Sequence, residues 1–163
     1  MNLKRLLKHL FASRTQMRRH FPPSLLAEIK DAIAQAERTH RGEIRFVIEA
    51  ALDPLQVGAD LSPRERALEV FSELRIWDTQ DNSGVLIYLL CADRAIEIVA
   101  DRGIHALAGC GVWPQIAAEM QTAFSAGDYR RGAMNGIQAV AAQLQRHLPS
   151  HRAGELPDDV VML

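Results

Sequence analysis

Only two cysteines, Cys91 and Cys110, occur in 163 residues, and they do not form a Cys-x-x-Cys pair. A disulfide scaffold and a thiolate zinc site are therefore excluded as organising principles, and both thiols are expected to stay reduced. No apolar stretch reaches the 18 or so residues needed to span a bilayer, and no apolar signal core ends in a small-residue cleavage site. A cytoplasmic protein is the expectation, with contact at the inner membrane surface as an addition to it. Gly103, Gly109 and Gly111 do not follow a strand with the spacing of a dinucleotide-binding turn. There is no internal repeat or low-complexity segment. The net charge of -1 supplies no broad positive field, so nucleic acid is excluded as a partner.

One local absence is informative. Residues 1–20 contain no acid but carry Lys4, Arg5, Lys8, Arg14, Arg18 and Arg19, which leaves a net -7 on the other residues. Leu3, Leu6, Leu7, Leu10 and Phe11 recur at helical spacing in the same segment, and the two patterns together make residues 1–21 a basic amphipathic arm. Its apolar stripe either docks on the domain's own core, or belongs to a loosely ordered arm, or lies on an anionic membrane surface met by the six cations.

What is present is ordinary globular material, 48% hydrophobic and 24% charged, in a length that suits one domain burying about 70% of its unfolded surface. Pro22-Pro23-Ser24 stops the arm, and Leu25, Leu26, Ile29, Ala32, Ile33 and Ala36 mark a helix running to about Thr39. Residues 43–49 alternate, with Ile44, Phe46 and Ile48 on one face and Arg45, Val47 and Glu49 on a wetter one. Ser62-Pro63-Arg64-Glu65 combines a capping serine, a first-turn proline and a glutamate three residues on, the most specific local signal in the chain. The helix it starts buries Ala67, Val70, Phe71 and Leu74. Residues 85–90 are apolar throughout, as in a central strand covered on both sides. Residues 95–100 alternate again after the short turn Ala92-Asp93-Arg94, which predicts an antiparallel hairpin. Two helices follow, one burying Trp113, Ile116, Met120 and Phe124 and the other Ala133, Ile137, Val140 and Leu144, with Gly127-Asp128 as stop and restart. The expected architecture is an α/β three-layer sandwich, a small mixed sheet with helices on both faces. The domain occupies residues 22–149, and residues 150–163 read as a flexible tail.

The residues that carry a family likeness lie in the middle of the chain. They are Asp81-Asn82-Ser83-Gly84-Val85-Leu86-Ile87, then Asp93-Arg94 before Ile96-Glu97-Ile98-Val99, then Gly103-Ile104. In this order and spacing they resemble the TPM domain, a module shared by photosystem II repair proteins of the thylakoid lumen and many bacterial proteins. The likeness covers residues 26–148. It implies a divalent-ion site and weak acid phosphatase activity of the kind some members have. The family pattern of Asp-Asn-Gly before the central strand is here Asn82-Ser83-Gly84, with Asp81 one place earlier. In the motif after the hairpin, Asp101 replaces a glycine, Arg102 an aromatic residue and His105 a glutamate.

The strand order makes an independent prediction. The starts of strands one and two share an end of the sheet, and the antiparallel third strand finishes there, so Glu43, Asp78, Asp81, Asn82, Asp101 and Arg102 should cluster. Carboxylates, amides and backbone carbonyls are the ligands of hard cations, which makes Glu43, Asp78, Asp81, Asn82 and Asp101 candidate ligands for Ca2+ or Mg2+. Such an ion can polarise a phosphoryl oxygen or activate water. Trp77, Arg102 and His105 would wall a pocket beside it. The competing reading is a polar loop whose short side chains satisfy its own amides, with Asp101 paired to Arg102 or Arg75. His105 and Cys110 lack the orienting third group that nucleophilic catalysis needs. Two functions follow. One is a non-enzymatic accessory or interaction module with a protein partner. The other is a divalent-metal-dependent phosphatase acting on small phosphoesters.

Overall fold

A computed structural model describes residues 3–12, 14–149 and 160–163. Three strands, β1 (Glu43–Glu49), β2 (Gly84–Leu90) and β3 (Ala95–Ala100), form the body of a mixed sheet completed by the short β4 (Val161–Met162) in the order β3-β2-β1-β4. β1 runs parallel to β2, with Glu43 opposite Gly84, and β2 runs antiparallel to β3, with Val85 opposite Ala100. The hairpin and the parallel crossover are as the sequence pattern predicts.

The period-two alternation of the strands divides the interior into two cores, one on each face. Ile44, Phe46 and Ile48 of β1 and Val85, Ile87 and Leu89 of β2 face the larger core. That core is filled by α3 (Pro23–Ala36), α7 (Val112–Ser125) and α8 (Tyr129–His147). Val47, Leu86, Tyr88, Leu90 and Val99 face the other, closed by α4 (Pro54–Gly58) and α5 (Pro63–Glu73). A three-layer α/β sandwich is therefore the observed fold. The second face of β1 is not wet: Val47 and Glu49 are both buried, because α5 covers the side on which they lie.

Local signals account for most element starts. Ser62 accepts from the Glu65 amide while the Glu65 side chain bonds back to the Ser62 amide, closing a capping box at α5. Asp53 and Gln56 build a second box at α4, a helix not expected from the sequence although it carries the same Pro-led signature. α3 ends at Ala36, short of Thr39, and residues 37–40 turn toward β1 while the Ile44 amide is held by Glu37. The far end of the chain also departs from the expected flexible tail. Residues 150–159 lie outside the described residues, but Val161 and Met162 pair with Val47 and Ile48, because β1 offers an open edge that two more apolar residues can extend.

The amphipathic arm divides into α1 (Leu3–Phe11) and α2 (Arg14–His20). Met17 of α2 and the following Phe21 enter the larger core, and Phe21 meets Phe124 and Tyr129 edge to face. α1 docks on the opposite side from its expected stripe. Arg5 reaches Asp93 in the β2–β3 turn at 2.8 Å and the Leu61 carbonyl at 2.6 Å. His9 accepts the Leu52 amide at Nδ1, 2.9 Å away, so the neutral ring carries its proton on Nε2 and donates to Asp93 Oδ1 at 3.0 Å. Burial alone would push Asp93 up, but the hydrogen bonds from Arg5 and His9 and the Arg5 charge outweigh it and hold the carboxyl below its usual range. Among the six cations of the arm, Arg5 is thus taken by the domain's own Asp93 and is not a surface contact.

Candidate functional site at the sheet end

At the shared end of β1, β2 and the finish of β3, backbone hydrogen bonds lay the segments that carry Glu43, Asn82 and Asp101 side by side. The Glu43 amide donates to the Ser83 carbonyl at 3.3 Å, and the Asp101 amide donates to the Gly84 carbonyl at 2.8 Å. A helix not foreseen in the sequence, α6 (Arg102–Ala108), begins at this point, with Asp101 as its N-cap. Asp101 Oδ1 accepts the Arg102 amide at 2.7 Å, while its buried Oδ2 has no hydrogen-bond partner among the described residues. Gly103 and His105 are therefore helical positions. Gly103 is needed because α6 lies against the preceding turn: a Cβ there would stand 2.5 Å from the Asp81 carbonyl oxygen and 2.6 Å from that of Asn82.

The turn itself is tightly made. Asn82 takes φ 48°, a left-handed geometry that asparagine tolerates better than most residues, and its carbonyl accepts the Ile104 amide at 3.2 Å. Asp81 pairs with Arg41 at 3.4 Å. Asp78 sits one turn earlier, exposed, with its amide on the Arg75 carbonyl and its side chain in no hydrogen bond or ion pair among the described residues. Glu43 is buried at the start of β1. Among the described residues, no three acidic, histidine or cysteine side chains come together in a way that can hold a metal ion.

The expected pocket wall is also dispersed. Trp77 is half exposed, and neither it nor Arg102 lines either of two surface grooves. His105 does line one of them, a groove of about 530 Å³ between β3 and α7, together with Trp113, Cys110 and Arg64. There Arg64 donates to the Ile98 carbonyl at 2.7 Å and covers part of the open β3 edge. A second groove of about 710 Å³ lies between the arm and the hairpin, with Leu89, Phe21 and Phe124 among its lining and Lys8 and Arg94 among its cations. Cys91 also lines it, and burial pushes its thiol up to about 11.

The most concentrated polar chemistry in the interior was not anticipated from the sequence. Glu49, the last residue of β1, receives Arg66 Nε at 3.0 Å and the Tyr88 hydroxyl at 2.5 Å, and Arg66 also holds Glu69 and Glu73 at 3.1 and 3.0 Å. Burial, then the bond to Glu49 and its charge, push the Tyr88 phenol well above its ordinary value. Burial alone would lower the Arg66 guanidinium, yet its carboxylate partners outweigh this and hold it above its ordinary value. The available signals were Tyr88 as the one polar group in an apolar strand and the i, i+3, i+7 spacing of Arg66, Glu69 and Glu73. The network sits under α5 with every member already paired, which makes it a structural tie between helix and sheet.

The family model for the TPM domain matches residues 17–143, which include the 81–104 stretch, both sheet cores and the helices that cover them. The chain belongs to the TPM domain family. Among solved structures this TPM domain is similar to the BA42 protein of the psychrophilic bacterium Bizionia argentinensis, with 27% identity, 86% of this chain and 93% of that one covered, and a TM-score of 0.75. The N-terminal domain of a protein from P. gingivalis shares the fold, with 17% identity, 82% of each chain covered and a TM-score of 0.64. No curated protein matches the chain. No helix among the described residues is long and apolar enough to cross a membrane.

Proposed function

We propose that this TPM domain is an accessory or interaction module whose working parts are surfaces rather than a reaction centre. The observation that carries this reading is the employment of the sheet-end acids. Asp101 caps α6, Asp81 pairs with Arg41, and the Asn82 carbonyl anchors Ile104. Each holds one segment of chain against another, the task of a structural group rather than of a reacting one.

Metal-dependent phosphoester hydrolysis is the second reading, favoured by the single unpartnered oxygen of Asp101. The two separate in one assay. Purified protein, Asp81→Ala and Asp101→Ala are incubated with a generic phosphate monoester, with and without Mg2+ or Ca2+. The module reading expects no turnover above background in any arm. Metal-dependent turnover by the wild type that both substitutions abolish would replace it with the phosphatase reading.

A further inference from the structure

Helix α1 is held to the domain along one side only. At about 3.6 residues per turn, Arg5 and His9 fall on one arc and make the Asp93, Leu61 and Leu52 contacts, with Leu6 at its border against the core under α5. Leu3, Leu7, Leu10 and Phe11 share the opposite arc and are 62%, 45%, 58% and 79% exposed. Four large apolar side chains on one nine-residue helix make a contiguous apolar surface, not the scattered leucines of an ordinary exterior.

Lys4 and Lys8 flank this arc, both exposed and in no ion pair among the described residues. Arg14, Arg18 and Arg19 of α2 are exposed as well, and no acid occurs in the first 20 residues. An isolated helix this short is marginal in water. Docking through Arg5 and His9 pre-forms it and fixes the apolar arc outward, so binding need not supply the ordering.

We infer that α1 seats the domain on an anionic lipid surface, with Leu3, Leu7, Leu10 and Phe11 at the boundary of headgroups and acyl chains and Lys4 and Lys8 on the lipid phosphates. A leucine and phenylalanine arc bordered by lysines is the pattern of helices that lie in the membrane interface. The charge asymmetry of the chain, +6 in residues 1–20 against -7 elsewhere, points this end toward a negative surface and turns the rest away. The inference goes beyond the module reading and does not depend on the phosphoester assay.

The test is sedimentation of the full chain with vesicles of phosphatidylcholine alone and of equal parts phosphatidylcholine and phosphatidylglycerol. The wild type is expected to sediment with the anionic vesicles only, and less as salt rises. Lys4→Glu/Lys8→Glu should weaken binding by at least about fivefold per lysine, and Leu7→Ser/Phe11→Ser by roughly tenfold or more per side chain. These positions are exposed, so melting temperature should hold in both variants and separates lost binding from lost folding. Failure of the wild type to sediment with anionic vesicles overturns the inference, as does undiminished sedimentation of a folded Leu7→Ser/Phe11→Ser variant. A dimer seen by light scattering that this variant abolishes, with no vesicle binding by the wild type, assigns the face to a second copy and likewise overturns it.

Discussion

Replacing Gly103 by alanine tests whether α6 is clamped against the turn that precedes β2. The added methyl would lie 2.5 Å from the Asp81 carbonyl oxygen, 2.6 Å from the Asn82 carbonyl oxygen and 3.1 Å from Asn82 Cβ. Both oxygens belong to backbone, so no rotamer change relieves the overlap. Either α6 lifts from the turn and the Ile104 amide loses its 3.2 Å bond to Asn82, or the turn moves and strains the 2.9 Å bond from the Ser83 amide to Thr79. Overpacking of this kind costs about 1–3 kcal/mol, and loss of a hydrogen bond adds about 1 kcal/mol. The better helix propensity of alanine returns somewhat under 1 kcal/mol. A net loss of about 1–3 kcal/mol lowers Tm by roughly 2–12 °C for a chain of this size.

The control is Gly58→Ala at the end of α4, where a Cβ meets nothing within 4 Å. That change should be neutral or stabilise by up to about 1 kcal/mol by restricting the unfolded chain. Thermal melts and urea titrations with an unchanged slope measure both. Hydrogen exchange at the Ile104 amide should quicken in Gly103→Ala alone. If Gly103→Ala melts with the wild type, or Gly58→Ala loses as much, the clamp does not exist as described.

The Glu49 network and His40 supply two further expectations. Arg66→Met leaves the Glu49 carboxylate buried without its cation and should cost about 3–5 kcal/mol, whereas the Glu49→Gln/Arg66→Met pair should cost less than the two single changes added. A double-mutant cycle in urea that finds simple additivity would refute the coupling. His40 is buried with neither ring nitrogen in a well-formed hydrogen bond among the described residues. Burial pushes its imidazole down to about 4, with the Gly42 backbone offsetting little of it. The unfolded chain binds this proton with the ordinary histidine pKa near 6.5, so between the two values the unfolded state holds more protons. The contribution of His40 to stability is therefore complete above about pH 6.5 and falls away as pH drops toward 4, by about 3 kcal/mol in all. His40→Leu should flatten the stability profile across that window, and a profile of unchanged slope would remove His40 as its source.

Elements whose signals lie within a few residues were legible in the chain. The alternation of residues 43–49 and 95–100, the apolar residues 85–90 and the Ser62-to-Glu65 box all report strand or helix directly, because strand and helix periods and capping bonds are local. The short turn after Cys91 made the hairpin all but obligatory, and the order of the 81–104 motifs pointed to the TPM family. α6 was hidden because Asp101, Gly103 and Gly109 read equally as a loop. The glycine at 103 is understood only when the Asp81 and Asn82 carbonyls are seen against it. α4 carries its own Asp53 and Gln56 box, a shorter-lived signal than the one at Ser62 because only five helical residues follow it.

The sequence by itself determined the three main strands, the helices on both faces and the placing of the segments that carry Glu43, Asp81, Asn82 and Asp101 at one end of the sheet, since strand period and connection length leave little else possible. Only the tertiary structure decided what those residues do there, because a carboxylate is a ligand, a cap or an ion-pair partner according to its neighbours. It also decided which side of α1 faces inward. Arg5 and Asp93 are 88 positions apart, and no periodicity within the arm can show that a pair so distant outcompetes the leucine stripe for the domain's surface. Glu49 is the same case, an end-of-strand acid that looks solvated until Arg66 and Tyr88 arrive from two other elements to satisfy it.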